Sequence, residues 1–383
     1  MMKNAYDIVI IGGGIIGCSI AFELAKRGRK DILIIEKGYL TSGGTGRCGA
    51  GIRQQWGTAL NVTLARDSIR IYEKLEEYTG YDGNCGLRQT GYLLLAYTDA
   101  EWEQFQKNHA LQTSLDIPVQ KLDSQSAKEI VPHLNTEGLI GAMFCETDGF
   151  ADPFHSTYAY AKGAMRMGVD ISTYTEVIGL SAKNGKITGV ETTKGSVKAG
   201  TVINATGPHA PKITNMLGLD IPVFPERHPI LVTEPINHIQ DPMVMSFHKH
   251  FYCQQTPHGS FVMGIGDPSE PISYNISSSW KFLEDCSSQV LSALPILKKL
   301  RVVRQWAGLY DMTPDRNHII HEMQGVSGFY TVAGFSGHGF MMAPKTAIII
   351  AQHLCGEKPD IDIGLFSADR YQTGELLLEP SVV

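Results

Sequence analysis

The chain has no run of lysines and arginines, no apolar stretch near the ~20 residues that cross a bilayer, and no CxxC or Cys/His spacing of a metal site. Each absence removes a class of function. With no basic tract and a net charge of −6, the sequence gives no reason to expect a nucleic-acid partner. With no long apolar run, no membrane span is expected. The first apolar stretch is broken by Asp7 and by glycines and lacks the basic leader and cleavage site of an export signal, so a cytoplasmic location is the expectation. The seven cysteines, at 18, 48, 85, 145, 253, 286 and 355, are scattered and odd in number, which points to reduced thiols rather than a disulfide framework or a metal site. Internal repeats, linkers and low-complexity tracts are missing too. What remains is an ordinary globular balance, 43% hydrophobic and 19% charged over 383 residues, enough for two domains at roughly 150 residues each.

The informative stretch comes first. Asp7-Ile8-Val9-Ile10-Ile11, rich in β-branched residues, predicts a buried parallel strand and runs straight into Gly12-Gly13-Gly14-Ile15-Ile16-Gly17. In a dinucleotide-binding βαβ unit Gly12 makes the tight turn, Gly14 lets backbone N–H groups approach a pyrophosphate, and Gly17 lets the helix pack close to the sheet. Apolar spacing over Cys18 to Arg27 predicts that helix, whose N-terminus suits an anion, and Gly28 stops it. A second strand, Asp31 to Ile35, ends at Glu36, 19 residues after Gly17, where a carboxylate can accept from ribose hydroxyls; Lys37 follows it. The order strand, glycines, helix, strand, acid is far more specific than the glycines alone.

From Thr41 to Trp56 five glycines and two arginines, without periodicity, describe a loop pressed against something flat or phosphate-bearing. It carries Gly44, Thr45, Arg47, Cys48, Gly51, Ile52 and Arg53. Helices are predicted at Asn61–Tyr78, Asp99–Leu115, Ser124–Val131, Phe154–Met167 behind the Asp152-Pro153 start, Ser277–Leu294 before Pro295, and Ala343–Leu354. Strands are predicted at Gly91–Tyr97, from Met143 into a turn at Asp152, from Val169 to Val197 around the hairpin signal Asn184-Gly185, at Thr201–Asn204, and at Gly328–Ala333. The region 221–266 alternates β-like runs with Pro, His and Gly turns, a second sheet poor in helix. His248, His250 and His258 fall there without metal spacing and read as surface or structural residues. The expected fold class is α/β (α+β overall): a Rossmann-like dinucleotide domain assembled from the discontinuous segments 1–80, 150–217 and 325–383, with an antiparallel-sheet substrate domain from 81–149 and 218–324.

Three glycine-bearing signatures together carry a resemblance: Gly12 to Gly17 with Glu36, the strand end Val202-Ile203-Asn204-Ala205-Thr206-Gly207, and Ala333-Gly334-Phe335-Ser336-Gly337-His338-Gly339-Phe340. They resemble the FAD-dependent amine and amino-acid oxidoreductases of the D-amino-acid oxidase superfamily. The stretches Arg47 to Gln55, Asp148 to Phe154 and Trp306 to Tyr310 look like the sarcosine oxidase β subunits and the β subunit of dye-linked L-proline dehydrogenase. The resemblance implies FAD, with cofactor contacts at Gly12, Gly14, Ile15, Ile16, Gly17, Glu36, Lys37, Gly44, Thr45, Arg47, Cys48, Gly51, Ile52, Val177, Ala205, Thr206, Gly207, Gly308, Gly337, His338, Gly339, Phe340 and Met341. It also implies oxidation of the C–N bond of a small amino acid of the proline, sarcosine or glycine type to an imine, with hydride passing to flavin N5.

The same likeness places a carboxylate-binding arginine at Arg53 and substrate-facing aromatics at Tyr252 and Tyr310. His338, in the loop that opens the last helix, is the fourth catalytic candidate. Departures at five positions narrow the expectation. Gly308 stands where monomeric sarcosine oxidase attaches flavin to cysteine, so FAD should be non-covalent. Val262 falls near that enzyme's oxygen-activating lysine and Met341 at its second carboxylate anchor. Tyr310 stands where glycine oxidase has an arginine, and Pro153 where the heterotetrameric enzymes have a covalent-FMN histidine, a role His155 does not inherit. The expected partners are therefore a small amino-acid substrate and a second subunit that takes the electrons, in a hetero- or homo-oligomer, with FMN at a subunit interface as an additional flavin the subgroup admits. Two alternatives stay open on the sequence: a non-catalytic flavin-binding electron-transfer subunit, and an NAD-dependent dehydrogenase built on the N-terminal unit.

Overall fold

A strand whose second half is apolar and buried on both faces belongs in the middle of a covered parallel sheet. The computed structural model, which describes residues 2–381, puts Ala5–Ile11 there, with Ile32–Ile35 on one side and Gly195–Asn204 on the other. Ile8 and Ile10 enter one core cluster and Val9 and Ile11 the other, as the two-residue period of a strand requires. Among the described residues the sheet runs Ile319–Glu322, Phe329–Ala333, Gly195–Asn204, Ala5–Ile11, Ile32–Ile35, Asp170–Ser172. All neighbours are parallel except the first pair. Val177–Lys183 and Lys186–Thr192 extend it as an antiparallel meander, and Asn184 and Gly185 between them both have positive φ, the two-residue turn the sequence signalled.

Helix Ile15–Lys26 packs on this sheet between Pro153–Arg166 and Gly339–Leu354. Asp152 caps the second of these, accepting from the N–H groups of Phe154 and His155 at 2.8 Å each, with Pro153 at the first helical position. The other large sheet has the order Val302–Met312, Phe224–Thr233, Phe261–Ile265, Phe251–Gln255, Met243–Ser246, Tyr92–Ala96, Gly141–Cys145, Val119–Leu122 and is antiparallel apart from the Met243–Ser246 and Tyr92–Ala96 pair. A short ladder, Gly51–Ile52 with Gly149–Phe150, ties the glycine-rich loop to a turn that follows the second sheet.

Several boundaries differ from the sequence reading. The helix expected from 61 to 78 is two, Ala59–Tyr72 and Leu75–Thr79, parted where Lys74 leaves helical geometry. The first helix begins at Ile15 rather than Cys18, bringing its N-terminus up to the glycines. The expected run from Met143 divides into Gly141–Cys145 and Gly149–Phe150, and the helix placed at Ser277 starts at Trp280. The last long helix starts at Gly339, with Pro344 inside it. Proline cannot donate to the carbonyl four residues back, that of Phe340, and the Tyr72 hydroxyl does so instead at 2.6 Å. Strands Val119–Leu122, Val302–Met312 and Ile319–Glu322 were not anticipated; the last lies within 218–324 yet pairs in the first sheet. All seven cysteines are free, and no cluster among the described residues could hold a metal. His248, His250 and His258 are exposed. Among the described residues no helix is long and apolar enough to cross a membrane.

Candidate active site

Two adjoining clefts lie where the sheets meet. The larger, about 830 Å³, is walled by the glycine turn, the loop at 43–48, the strand end at 205–208 and the loop at 335–340. Of the residues expected to hold cofactor, Gly14, Ile15, Ile16, Gly44, Thr45, Cys48, Ala205, Thr206, Gly207, Gly337, Gly339 and Phe340 line it. Gly12 sits just behind, with φ +114, and a Cβ there would stand 2.9 Å from the Ala205 carbonyl carbon, so only glycine lets these strand ends approach. Glu36 braces the turn: its carboxylate accepts from Gly13 N–H at 2.8 Å, Gly38 N–H at 2.7 Å and the Ser42 hydroxyl at 3.1 Å.

Two helix N-termini open on this cleft, and neither has a side-chain cap. Thr45 Oγ1 takes the Ile15 N–H at 3.1 Å. The remaining first-turn N–H groups have no partner within their helices, so each end offers donors and a positive dipole to an anion. One suits a pyrophosphate. The other suits the negative charge a reduced flavin carries near N1 and O2. The Gly334–Gly337 loop before the second end is held in unusual backbone, Gly334, Ser336 and Gly337 all having positive φ. Asp311, which the sequence reading missed, fastens it by accepting from Gly334 N–H at 2.7 Å and, through its own carbonyl, from Ser336 N–H at 2.9 Å. Burial pushes its carboxyl up to about 6. These features fit an FAD.

The second cleft, about 660 Å³, shares Cys48, Tyr310, Gly337 and Phe340 with the first. Arg53, Tyr252, Tyr310 and His338, the four catalytic candidates, all line it, as do Trp56, Tyr92, Met243 and Met245, which were not foreseen. Asp148 steadies the chain just after Arg53: its carboxylate accepts from Gln54 N–H at 2.8 Å and from the Gln55 side chain at 3.0 Å. Burial pushes Asp148 up to about 6. The Arg53 guanidinium is 3% exposed and lies 4.0 Å from the Trp56 ring centre. It donates to the carbonyls of Gln55 at 2.5 Å and Ser381 at 2.8 Å, and among the described residues it forms no ion pair with a carboxylate. Burial lowers its pKa, but an arginine starts high enough to remain charged. His338 rests edge-on against Trp56, and its Nε2 is buried with no hydrogen-bond partner among the described residues. Burial and nearby Arg53 push it down to about 3, so the ring is neutral. Tyr310 is stacked on His228 with ring centres 3.6 Å apart, and His228 is held by Glu226 at 2.8 Å. Burial raises the hydroxyls of Tyr92, Tyr252 and Tyr310 above the ordinary phenol range, so they are neutral donors.

Some expected residues stand elsewhere. Gly51 and Met341 line the second cleft. Gly17, Lys37, Arg47, Ile52 and Gly308 are not on the wall of the larger one. Lys37 is exposed just beyond Glu36, and Arg47 serves the wall from behind, its carbonyl accepting the Trp306 indole N–H at 3.0 Å. Val177 turns its side chain into the core cluster of Val9 and Leu33, which leaves only its backbone for any cofactor contact.

A dinucleotide cleft with two uncapped helix ends, opening onto a chamber with a buried cation, defines a flavoprotein oxidoreductase. The comparison with known families agrees: residues 7–353 match DAO, the FAD-dependent oxidoreductases. The chain belongs to that family. Sarcosine oxidase subunit beta of Arthrobacter sp. is 29% identical over 98% of this chain and 94% of its own length. A crystal structure of L-proline dehydrogenase from P. horikoshii superimposes with a TM-score of 0.92 at 39% identity, covering 98% of this chain and 100% of that one. Glycine oxidase from Geobacillus kaustophilus gives a TM-score of 0.86 at 26% identity over 96% and 99% of the two chains. The cofactor is FAD, and the NAD alternative is set aside.

Proposed function

We propose that the protein oxidises the C–N bond of a small α-amino acid of the proline, sarcosine or glycine type. The observation that carries this reading is Arg53, a buried guanidinium with no carboxylate partner among the described residues, in the chamber next to the cofactor cleft. Burying a charge is costly unless something pairs with it, and a substrate carboxylate is a pairing group of the right sign that planar guanidinium N–H groups can hold. When bound, FAD supplies the acceptor for the electron pair and hydrogen leaving the carbon beside nitrogen. The work of the protein is orientation. Arg53 fixes the carboxylate, while Trp56, Met243, Met245 and Phe340 exclude water around the reacting carbon. The dry wall and the nearby cation both favour an uncharged amine. Neutral His338 and the Tyr252 and Tyr310 hydroxyls are the polar groups left to steer it.

The names of the sarcosine oxidase β subunits support a further reading, in which the chain acts as one subunit of a multi-subunit enzyme and passes electrons to a partner. A cytoplasmic location rests on the sequence alone, and the cofactor unit is read as 1–80, 150–217 and 325–383 with the strand Ile319–Glu322, which pairs in the first sheet. Anaerobic addition of L-proline, sarcosine, glycine and D-amino acids to the yellow protein tests the reaction. Bleaching of the flavin by one of them is the expected result, and no bleaching by any would favour a non-catalytic electron-transfer subunit.

A further inference from the structure

Arg53 is held by a segment far from it in sequence. Its Nη2 donates to the carbonyl of Ser381, within an irregular stretch that follows the short helix Arg370–Thr373. That stretch is not seated by its apolar side chains: Leu378 is 68% and Leu376 41% exposed. Its polar groups go inward instead. The Glu379 carboxylate, 7% exposed, accepts from Gly57 N–H at 2.8 Å, Thr58 Oγ1 at 3.0 Å, Asn61 Nδ2 at 2.9 Å and Ser381 N–H at 2.9 Å. Asn108, from helix Asp99–Ser114, donates to Ser381 Oγ at 2.9 Å, and Leu377 N–H reaches Asp315 at 3.1 Å. Four donors converging on one buried carboxylate is a strong clasp, because each bond is charge-assisted and none is shared with bulk water. On the other side, Gln112 of the same helix donates to the Trp56 carbonyl at 2.7 Å and so fixes the ring that Arg53 lies on.

We propose that Glu379 is a positioning residue for Arg53: it seats the 377–381 segment, whose Ser381 carbonyl holds the guanidinium in place with its other N–H groups available to a substrate carboxylate. A guanidinium at the end of about four freely rotating side-chain bonds loses affinity for its ligand when it must be ordered at the moment of binding, and a carbonyl that pre-orders it removes that cost. The inference rests on the reading of Arg53 as the carboxylate anchor.

The test titrates FAD-loaded enzyme with cyclopentanecarboxylate, a carboxylate without an amine, following the visible flavin spectrum. Glu379→Ala should weaken binding about tenfold, and Asn108→Ala, which loosens the segment without removing a charge, about threefold. In both, FAD content and the limiting rate of flavin reduction by the amino-acid substrate should stay within about twofold of the parent, so that KM rises and kcat does not. A merely structural role would lower flavin content and rate together. If Glu379→Ala loses flavin, Asn108→Ala carries the test. Parent-like binding in Asn108→Ala and Glu379→Ala, with weakened binding in Arg53→Ala, would overturn the positioning role alone. Parent-like binding in Arg53→Ala, or no binding to the parent enzyme, would overturn the anchor on which it stands.

Discussion

Gly337→Ala should damage the protein through Tyr310. Gly337 has φ +91, where a side chain costs about 1–3 kcal/mol in backbone strain alone. The added Cβ would stand 2.7 Å from Tyr310 Cζ and 2.8 Å from Cδ2, whereas carbons in contact sit at about 3.5–4.0 Å, so the ring must retreat by about 1 Å. It has nowhere to go. His228 lies flat against its other face at 3.6 Å and is pinned by Glu226 at 2.8 Å. Overpacking of this kind adds about 1–3 kcal/mol, for a total of about 2–6 kcal/mol. Urea unfolding of the apoprotein measures this directly, and the flavin-to-protein ratio of the purified holoenzyme should fall with it. Adding His228→Ala removes the backstop and should recover part of the loss. A Gly337→Ala protein within ~0.5 kcal/mol of the parent and fully flavinated, or strict additivity of the two substitutions, would refute the packing argument.

Two further outcomes follow from the clefts. Asp148 and Asp311 each have a folded-state pKa of about 6 against an ordinary 3.8, so between those values the native state binds more protons than the unfolded chain. Stability of the apoprotein should therefore fall as pH rises from about 4 to about 6 and level off above, by on the order of 3 kcal/mol per group, as urea unfolding across that range will read. Asp311→Asn, which keeps an oxygen for the Gly334 N–H, should flatten roughly half of the slope; an unchanged slope would remove Asp311 as its source. Flavin should leave entirely with acid precipitation. Gly308 offers no thiol, and Cys48, pushed up to about 11 by burial with its Sγ 3.0 Å from the Thr45 carbonyl, is a poor nucleophile, so flavin retained on the precipitate would contradict non-covalent binding.

Local grammar made much of the cofactor unit legible. Asp7–Ile11, the glycines, Glu36, the Asp152-Pro153 start and the Asn184-Gly185 turn each carry their structural reason within a few residues. Strand Val302–Met312 does not: Arg304, Gln305, Gly308 and Asp311 interrupt any alternation, and among the described residues it is an edge strand with a single neighbour to satisfy. The chamber was legible only through the resemblance, and incompletely. Tyr92, Asp148, Met243 and Ser381 meet Arg53 because distant parts of the chain converge there, and no spacing records that. Helix Asp99–Ser114 reads as a polar helix, yet Asn108 and Gln112 are buried on it, and their purpose is visible only once the segment ending at Ser381 and the Trp56 carbonyl are found opposite them.

The central claim is that Arg53 pairs with the carboxylate of the substrate. The measurement that reaches it most directly is a cycle: the amino acid that bleaches the flavin and the same amine without its carboxylate, each tested on the parent enzyme and on Arg53→Ala by anaerobic flavin reduction. Two charge-assisted hydrogen bonds are worth about 3 kcal/mol or more, so the parent should prefer the amino acid by a hundredfold or more in apparent affinity, and Arg53→Ala should lose most of that preference while keeping its FAD. A preference that survives the loss of Arg53 would place the carboxylate elsewhere and contradict the account.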